Sequence, residues 1–370
     1  MTTPFEIFLV VPPGLEPSLF AEVADLGFPP ARMEPGGVVF DGDWPDVWRA
    51  NLLLRGATRV LARIGSFRAM HLAQLDKRAR KFDWSLFRPE MLLKVEVSCK
   101  KSRIYHAGAA KQRVENALVA NGLTVAADAE LVLRTRIEDD LCVFSVDTSG
   151  AALHKRGHKQ AIGKAPLRET LAAHFLRMCD HDPSAPLIDP MSGSGTIPLE
   201  AAEIAAGLPP GRTRNFAFEH FASFDRAAYE GLRSTLEARG QAPILAPILG
   251  FDRDQGAVQS GARNAQAAGL TDRVAFACQA VSALQPVGDR PGLVLTNPPY
   301  GGRIGNKKLL FGLYGALGAR MNEAFGGWRI GIITSEPGLA KATGLSFFEI
   351  SPPIPHGGLK VKLYQAHVPD

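Results

Sequence analysis

Cysteine is scarce in this sequence, and long apolar runs are missing. The four cysteines, Cys99, Cys142, Cys179 and Cys278, stand far apart and form no C-x-x-C pair. Reduced, buried thiols in a cytosolic protein are therefore the economical reading, and a zinc site is not expected. No run reaches the roughly 18 apolar residues a membrane span requires. The opening apolar run, Phe5–Val11, contains Glu6 and meets Pro12-Pro13. Lacking a basic leader, it reads as a first strand and not as a signal peptide. Internal repeats and low-complexity segments are also absent.

What is present is core-forming material and an uneven charge. The chain has 370 residues, 46% of them hydrophobic, enough for two or three domains. The net charge is only +5. From Arg68 to Arg113, however, 12 Lys/Arg face four Asp/Glu, an excess of +8, so the remainder carries 5 − 8 = −3. A basic segment beside a neutral remainder suits a polyanionic partner, although a solvated charged face has the same composition. Within it, Lys77-Arg78-Ala79-Arg80-Lys81 precedes Phe82, Trp84 and Phe87, and Ser98-Cys99-Lys100-Lys101-Ser102-Arg103 follows a strand at Leu92–Val97. Cations interleaved with aromatics fit nucleic acid, since phosphates meet Lys/Arg while bases stack on rings.

The first 45 residues read as strands at Phe5–Val11 and Val38–Gly42 around a helix closed by Gly27. A second helix starts at Asp43-Trp44-Pro45, with Asp43 as N-cap. Ala57–Phe67 reads as extended; a helix around Gly108–Asn121 and strands at Ala129–Arg136 and Leu141–Ser145 complete a small α+β module. A boundary is expected near 155–165, where the chain turns polar and Gly-rich. Beyond it strands and helices alternate, the pattern of a doubly wound sheet. Seven strands are expected, at Pro186–Asp189, Ile248–Asp252, Val274–Cys278, Gly292–Leu295, Trp328–Thr334, Leu345–Ile350 and Leu359–Val368. The last two lie too close together for a crossover helix, so they should be antiparallel. An α/β sheet of seven strands with the last reversed is that of class I (Rossmann-like) methyltransferases.

Three stretches carry the chemistry. Leu295-Thr296-Asn297-Pro298-Pro299-Tyr300-Gly301-Gly302-Arg303 follows a buried strand. Its prolines supply no amide hydrogen, so neighbouring carbonyls are left to face a ligand. Asn297 adds an acceptor and Tyr300 a flat ring: a socket for a planar group bearing an amine. Asp189-Pro190-Met191-Ser192-Gly193-Ser194-Gly195-Thr196 joins the first strand to a helix, with Gly193 and Gly195 permitting positive φ and close approach of a ligand. No third glycine completes G-x-G-x-x-G, and Asp189 would repel a pyrophosphate but can orient an ammonium. This favours S-adenosylmethionine over a dinucleotide. Gly250-Phe251-Asp252-Arg253-Asp254 closes the second strand; Asp252 can accept both ribose hydroxyls, while Asp254 suits a helix cap.

With these residues in view, the sequence resembles the bacterial THUMP-containing 23S rRNA guanine methyltransferases, which modify the 2-amino group. The likeness lies in Asp147–Gly157, Ala165–Ala172, Asp189–Thr196, Gly250–Asp254 and Asn297–Arg303. It implies a ferredoxin-like piece at 1–45, a THUMP RNA-binding domain at 46–155 and an S-adenosylmethionine-dependent methyltransferase domain at 156–370. It also implies a catalytic set of Asn297, Pro298, Pro299 and Tyr300. Cofactor contacts fall on Asp189, Met191, Ser192, Gly193, Gly195, Thr196, Asp252, Arg253, Val281 and Asn297. RNA contacts fall on Lys100, Lys101, Arg103 and Arg303. The implied partner is 23S rRNA, or alternatively tRNA for a guanine methyltransferase of the same layout; DNA adenine methylation is a more distant reading. No metal and no membrane are implied, the location is cytoplasmic, and a monomer is the default. Two positions depart from the pattern: Ala280 stands where an Asp would hold the adenine amino group, leaving Gln279 or the backbone near Val281, and Gly302 replaces a Glu. The second methyltransferase domain fused in some members has no counterpart, which implies a single modification.

Overall fold

A computed structural model describes residues 4–157, 167–239, 243, 246–301 and 307–370. Contacts divide them into two units. One takes the described residues up to Val11, Phe20–Leu153 and Arg214–Ser234; the other takes Pro12–Leu19, the described part of His154–Thr213 and that of Thr235–Asp370.

The first unit is organised by one sheet. Its elements are β1 (Phe5–Val10), α1 (Glu16–Asp25, begun in the second unit), β2 (Ala31–Glu34), β3 (Gly37–Gly42), α2 (Trp44–Leu53), β4 (Arg59–Arg68), α3 (Leu72–Ala79), β5 (Leu92–Lys100), α4 (Ala107–Ala120), β6 (Thr124–Val125), β7 (Leu131–Glu138) and β8 (Leu141–Asp147). Strand order is β2-β3-β1-β4-β8-β7-β5-β6. β4 pairs with β1 on one side and β8 on the other, both antiparallel, so the N-terminal piece and the basic module share a single sheet. Asp43 caps α2 as expected and makes a reciprocal capping box with Asp46. The Lys77–Lys81 cluster begins on the amphipathic α3, which presents Leu75 and Ala79 to the core and its cations to solvent.

A stretch from the second half of the sequence completes this unit. Phe218, Phe221, Phe224 and Tyr229 pack against Trp44, Trp48 and Phe87, with Trp48 ring centroids 6.3, 5.8 and 6.1 Å from Phe218, Phe224 and Tyr229, and Phe216 stacks on Phe218 at 5.1 Å. The Arg214 guanidinium donates to the carbonyls of Ala152 and Ser149 at 2.9 and 3.0 Å, tying down the start of the stretch. Nothing in the sequence had set this segment apart.

The second unit carries α5 (Glu169–Met178), β9 (Leu187–Asp189), α6 (Thr196–Ala205), α7 (Arg226–Arg239, begun in the first unit), β10 (Ile248–Asp252), α8 (Gln255–Ala267), β11 (Ala275–Cys278), β12 (Leu293–Thr296), α9 (Lys307–Ala324), β13 (Arg329–Thr334), α10 (Pro337–Ala342), β14 (Phe347–Ile350), β15 (Ile354–His356) and β16 (Leu359–His367). The sheet runs β11-β10-β9-β12-β13-β16-β14, with β15 paired to β16. All seven expected strands form, and β16 lies antiparallel to both β13 and β14. The central strands are short and largely apolar, and β12 is covered on both faces: Leu293, Val294 and Leu295 are at most 3% exposed. Cys142 and Cys179 are buried, but Cys99 is half-buried and Cys278 exposed. That corrects the expectation of four buried thiols: Cys278 ends an edge strand whose outer face meets solvent.

Candidate cofactor and target-base site

Strand order reverses at β9, whose neighbours are β10 on one side and β12 on the other. In open α/β sheets, ligands bind beyond the carboxyl ends of the strands at such a switch point. The loops after β9, β10, β11 and β12 all leave there, and they hold the residues singled out from the sequence.

Asp189 ends β9 with 2% of its surface exposed. Its carboxylate accepts the Met191 amide at 3.1 Å. Burial, reinforced by the neighbouring Asp252 charge, pushes its pKa up to about 7. Gly193 follows with φ +54 and open space where a side chain would stand. Its amide donates to Asp252 Oδ2 at 3.0 Å, while Asp254 N donates to Oδ1 at 3.0 Å. The Asp252 carboxylate is thus held from two sides with unused lone pairs remaining, since a carboxylate offers about four acceptor sites. Asp254 caps α8 through the Gly256 amide at 2.7 Å, as expected, so Asp252 is not the cap.

Gly195 takes the positive φ expected of it. It caps α6 at φ +85, yet a Cβ there would meet the Phe276 ring at 2.6 Å. The same ring lies 2.5 Å from a Cβ on Gly250 and 2.8 Å from one on Gly261. Phe276 from β11 thus fills the space left by three glycines, and the close approach to Gly195 is made by a side chain of the protein itself. Phe276 was missed because the ring and its three glycines are dispersed in sequence.

Met191 packs on the apolar core of the unit, to which Val281 also belongs. Ser192 is buried and its Oγ has no partner among the described residues. Thr196 is buried in the first turn of α6, whereas Arg253 is exposed. Gln279 donates from Nε2 to the Ala283 carbonyl at 2.8 Å, and its amide holds the Asp252 carbonyl at 2.9 Å.

At the end of β12, Asn297 Oδ1 is buried without a hydrogen-bond partner among the described residues. An acceptor left so costs roughly 1–3 kcal/mol, which a ligand donor recovers. Pro298 is buried. The Pro299 carbonyl accepts the Tyr314 hydroxyl at 3.4 Å, which fixes the second proline of the turn. Tyr300 rests half-buried on the core, and burial pushes its hydroxyl pKa up to about 12, so it is a neutral phenol at physiological pH.

The remaining expectations separate. Lys100, Lys101 and Arg103 are exposed and belong to the first unit. Arg303 lies outside the described residues. Arg156 is buried at 2% exposure, with Nη2 3.1 Å from Glu200 Oε1. Among the described residues, no cluster of three or more His, Cys, Asp or Glu has the spacing of a metal site, and no helix is long and apolar enough to cross a membrane.

A seven-stranded path with the last strand inserted antiparallel, and an acid at the tip of each of the adjacent strands β9 and β10, define the class I methyltransferase fold. Residues 156–351 match the RMKL-like methyltransferase domain and residues 6–61 the RlmL ferredoxin-like domain. The chain belongs to this RMKL-like methyltransferase family. A Synechocystis protein named provisionally as an RNA methyltransferase is 31% identical over 96% of this chain and 95% of its own. The ribosomal RNA large subunit methyltransferase K/L of Syntrophotalea carbinolica is 34% identical over 93% of this chain. The chain spans about half of that relative, 51% of its length. Among solved structures, SMU.472, named provisionally as a methyltransferase and crystallised with S-adenosylhomocysteine, superposes with a TM-score of 0.89 at 26% identity, each chain fully covered.

Proposed function

We propose that this chain is an S-adenosylmethionine-dependent RNA methyltransferase that modifies the exocyclic 2-amino group of a guanine in 23S ribosomal RNA. One observation carries the reading: the buried Asn297 Oδ1, without a hydrogen-bond partner among the described residues, in an Asn-Pro-Pro-Tyr turn at the sheet's switch point. The names of the relatives support RNA as the substrate, and the ligand of the solved neighbour supports the cofactor.

The residues present fit that cofactor. Asp189 takes the ammonium of its amino-acid end, the open face of Gly193 admits its backbone, and the free lone pairs of Asp252 accept the ribose hydroxyls. Met191, Ser192, Gly195, Thr196, Arg253 and Val281 complete this end of the site, with Gly195 acting through the turn it permits. When bound, S-adenosylmethionine supplies a methyl group activated by its sulfonium.

Guanine's amino nitrogen is a weak nucleophile because its lone pair is delocalised into the ring. Asn297 Oδ1 and the Pro298 carbonyl each accept one of its N–H bonds, which favours a pyramidal nitrogen and aims the lone pair. Tyr300 stacks on the base once it is out of its helix. Acceleration then comes from positioning and fixed dipoles. No strong base is needed, because the proton turns acidic once the nitrogen carries positive charge and can leave to water.

On this reading the chain divides into a ferredoxin-like piece at 1–45, a THUMP RNA-binding domain at 46–155 and the catalytic domain at 156–370, acting on RNA in the cytoplasm. Mass mapping of methylated guanines in ribosomal and transfer RNA from a deletion strain tests it. Loss of one 2-methylamino guanine from 23S rRNA, restored by the wild-type chain, is the expected result. Loss from tRNA instead transfers the activity to that substrate, and an unchanged guanine profile in both RNAs contradicts the proposal.

A further inference from the structure

The least explained surface of the first unit is one end of its sheet. The C-terminal ends of β4, β5 and β7 and the start of β8 meet there, since Arg68 and Glu138 both pair with Leu141 and Lys100 pairs with Glu138. Three connections converge on this end: 69–71, 101–106 and the Asp139-Asp140 turn. Asp140 joins them. Its carboxylate accepts the Arg103 amide at 2.8 Å, its own amide donates to Ser102 Oγ at 3.1 Å, and its carbonyl accepts the Ala69 amide at 2.8 Å. Arg68 donates to the Asp139 carbonyl at 3.1 Å, which closes the turn against β4.

The tip thus built displays an aromatic ring and several cations at its surface. Tyr105 is 83% exposed, the most exposed large hydrophobic side chain among the described residues, although it sits between buried Ile104 and the start of α4. Met70 is 45% exposed beside it in the cluster, with its sulfur 3.2 Å from Arg103 Nη1. Lys100, Lys101 and Arg103 are exposed around the same connection; Lys100 Nζ lies 3.5 Å from Glu138 Oε1 and Arg103 Nε 3.8 Å from Asp140 Oδ2, exposed pairs that contribute little and can give way to a phosphate, and Lys101 is held at φ +47. An amino acid with a large ring stays in water at a cost of apolar hydration. The first turns of α3 and α4, which open here, contain no carboxylate to repel a phosphate.

We propose that this tip docks a single-stranded stretch of RNA, one base stacking on Tyr105 while Lys100, Lys101 and Arg103 hold the flanking phosphates. A duplex keeps its base faces stacked internally, so an exposed ring ringed by cations selects for unpaired nucleotides. The inference rests on the RNA reading above and adds to it the strandedness of the contact and Tyr105 as its aromatic platform.

Fluorescence anisotropy of the full chain with a short labelled oligouridine, and with the duplex it forms with oligoadenosine, tests the assignment. S-adenosylhomocysteine titration and thermal melting of each variant run alongside. The expected result is tighter binding of the single strand, weakened on the order of tenfold by Tyr105→Ala and kept by Tyr105→Phe and Tyr105→Trp. Lys101→Ala and Arg103→Ala should each lower the salt dependence of log affinity by about 0.7. Melting temperature and cofactor affinity should not move. Single-strand binding that survives Tyr105→Ala unchanged overturns the tip while leaving the RNA reading in place, and so does a loss that Tyr105→Phe fails to restore. Failure of the wild-type chain to bind either RNA while it still binds S-adenosylhomocysteine overturns both.

Discussion

Replacing Asp189 by Asn should make the protein more stable at neutral pH and less able to hold its cofactor. The carboxyl is 2% exposed and accepts one backbone amide, from Met191 at 3.1 Å. Burial raises its pKa from 3.8 to about 7. A raised folded-state pKa means that the folded protein binds more protons than the unfolded chain between those values. The contribution of Asp189 is therefore fully present below pH 3.8 and is lost as pH rises to about 7. The difference, about 3 pH units, corresponds to something on the order of 4 kcal/mol at 1.36 kcal/mol per unit. Asparagine has the same shape and no proton to lose, so urea unfolding of Asp189→Asn should lack this fall, and the gap between variant and wild type should widen from pH 5 to pH 8. Calorimetry supplies a second readout. An ammonium docking against Asp189 drives off its proton, so S-adenosylhomocysteine binding to the wild type at pH 6 should release close to one proton, seen as an enthalpy that varies with the buffer. Asp189→Asn should bind more weakly and release none. Parallel stability profiles for the two proteins, together with equal proton release, would refute the reasoning.

Gly195→Ala should be far more damaging than Gly193→Ala. The first places a Cβ 2.6 Å from the Phe276 ring at φ +85, the second meets open space at φ +54; Phe276→Ala should recover part of the lost melting temperature. His181 shows the opposite pH sign to Asp189: burial lowers its pKa to about 4, and both ring nitrogens lack partners among the described residues. Its neutral form therefore supports the fold above about pH 6.5, and up to about 3 kcal/mol is lost as pH falls toward 4. His181→Leu should flatten that acid limb in urea titrations. Trp48→Ala, at a side chain 4% exposed against Phe218, Phe224 and Tyr229, should cost about 3–5 kcal/mol and make residues 214–234 an early site of limited proteolysis.

The catalytic half was legible because its strands are short apolar runs closed by glycine, proline or aspartate, and buried parallel strands need little else to be found. What escaped notice has physical reasons. β2 is only four residues long, Ala31–Glu34, and none is fully buried; Ala31 and Met33 alternate with Arg32 and Glu34, but so short a run gives no distinct strand signal. α3 hid behind its own cations, since only Leu75 and Ala79 of its eight residues are buried. β15 contains Pro355, which argues against a strand until β16 is seen beside it. The aromatic run from Phe216 to Tyr229 announces burial but not against what; only the fold pairs it with Trp44 and Trp48. In the site, the turn and the acids could be read directly from residue chemistry. That Gly195 serves Phe276 could not, because a close approach has no local sequence mark.

The account turns on Asn297 as the acceptor that orients the target amine. Methyl transfer from radiolabelled S-adenosylmethionine to undermethylated 23S rRNA, compared between wild type and Asn297→Ala with S-adenosylhomocysteine affinity measured on the same samples, tests this most directly. The predicted outcome is a fall in turnover of at least about 10²–10³-fold, typical for removing one oriented polar group, with cofactor affinity nearly intact. A variant that keeps most of its turnover contradicts the account.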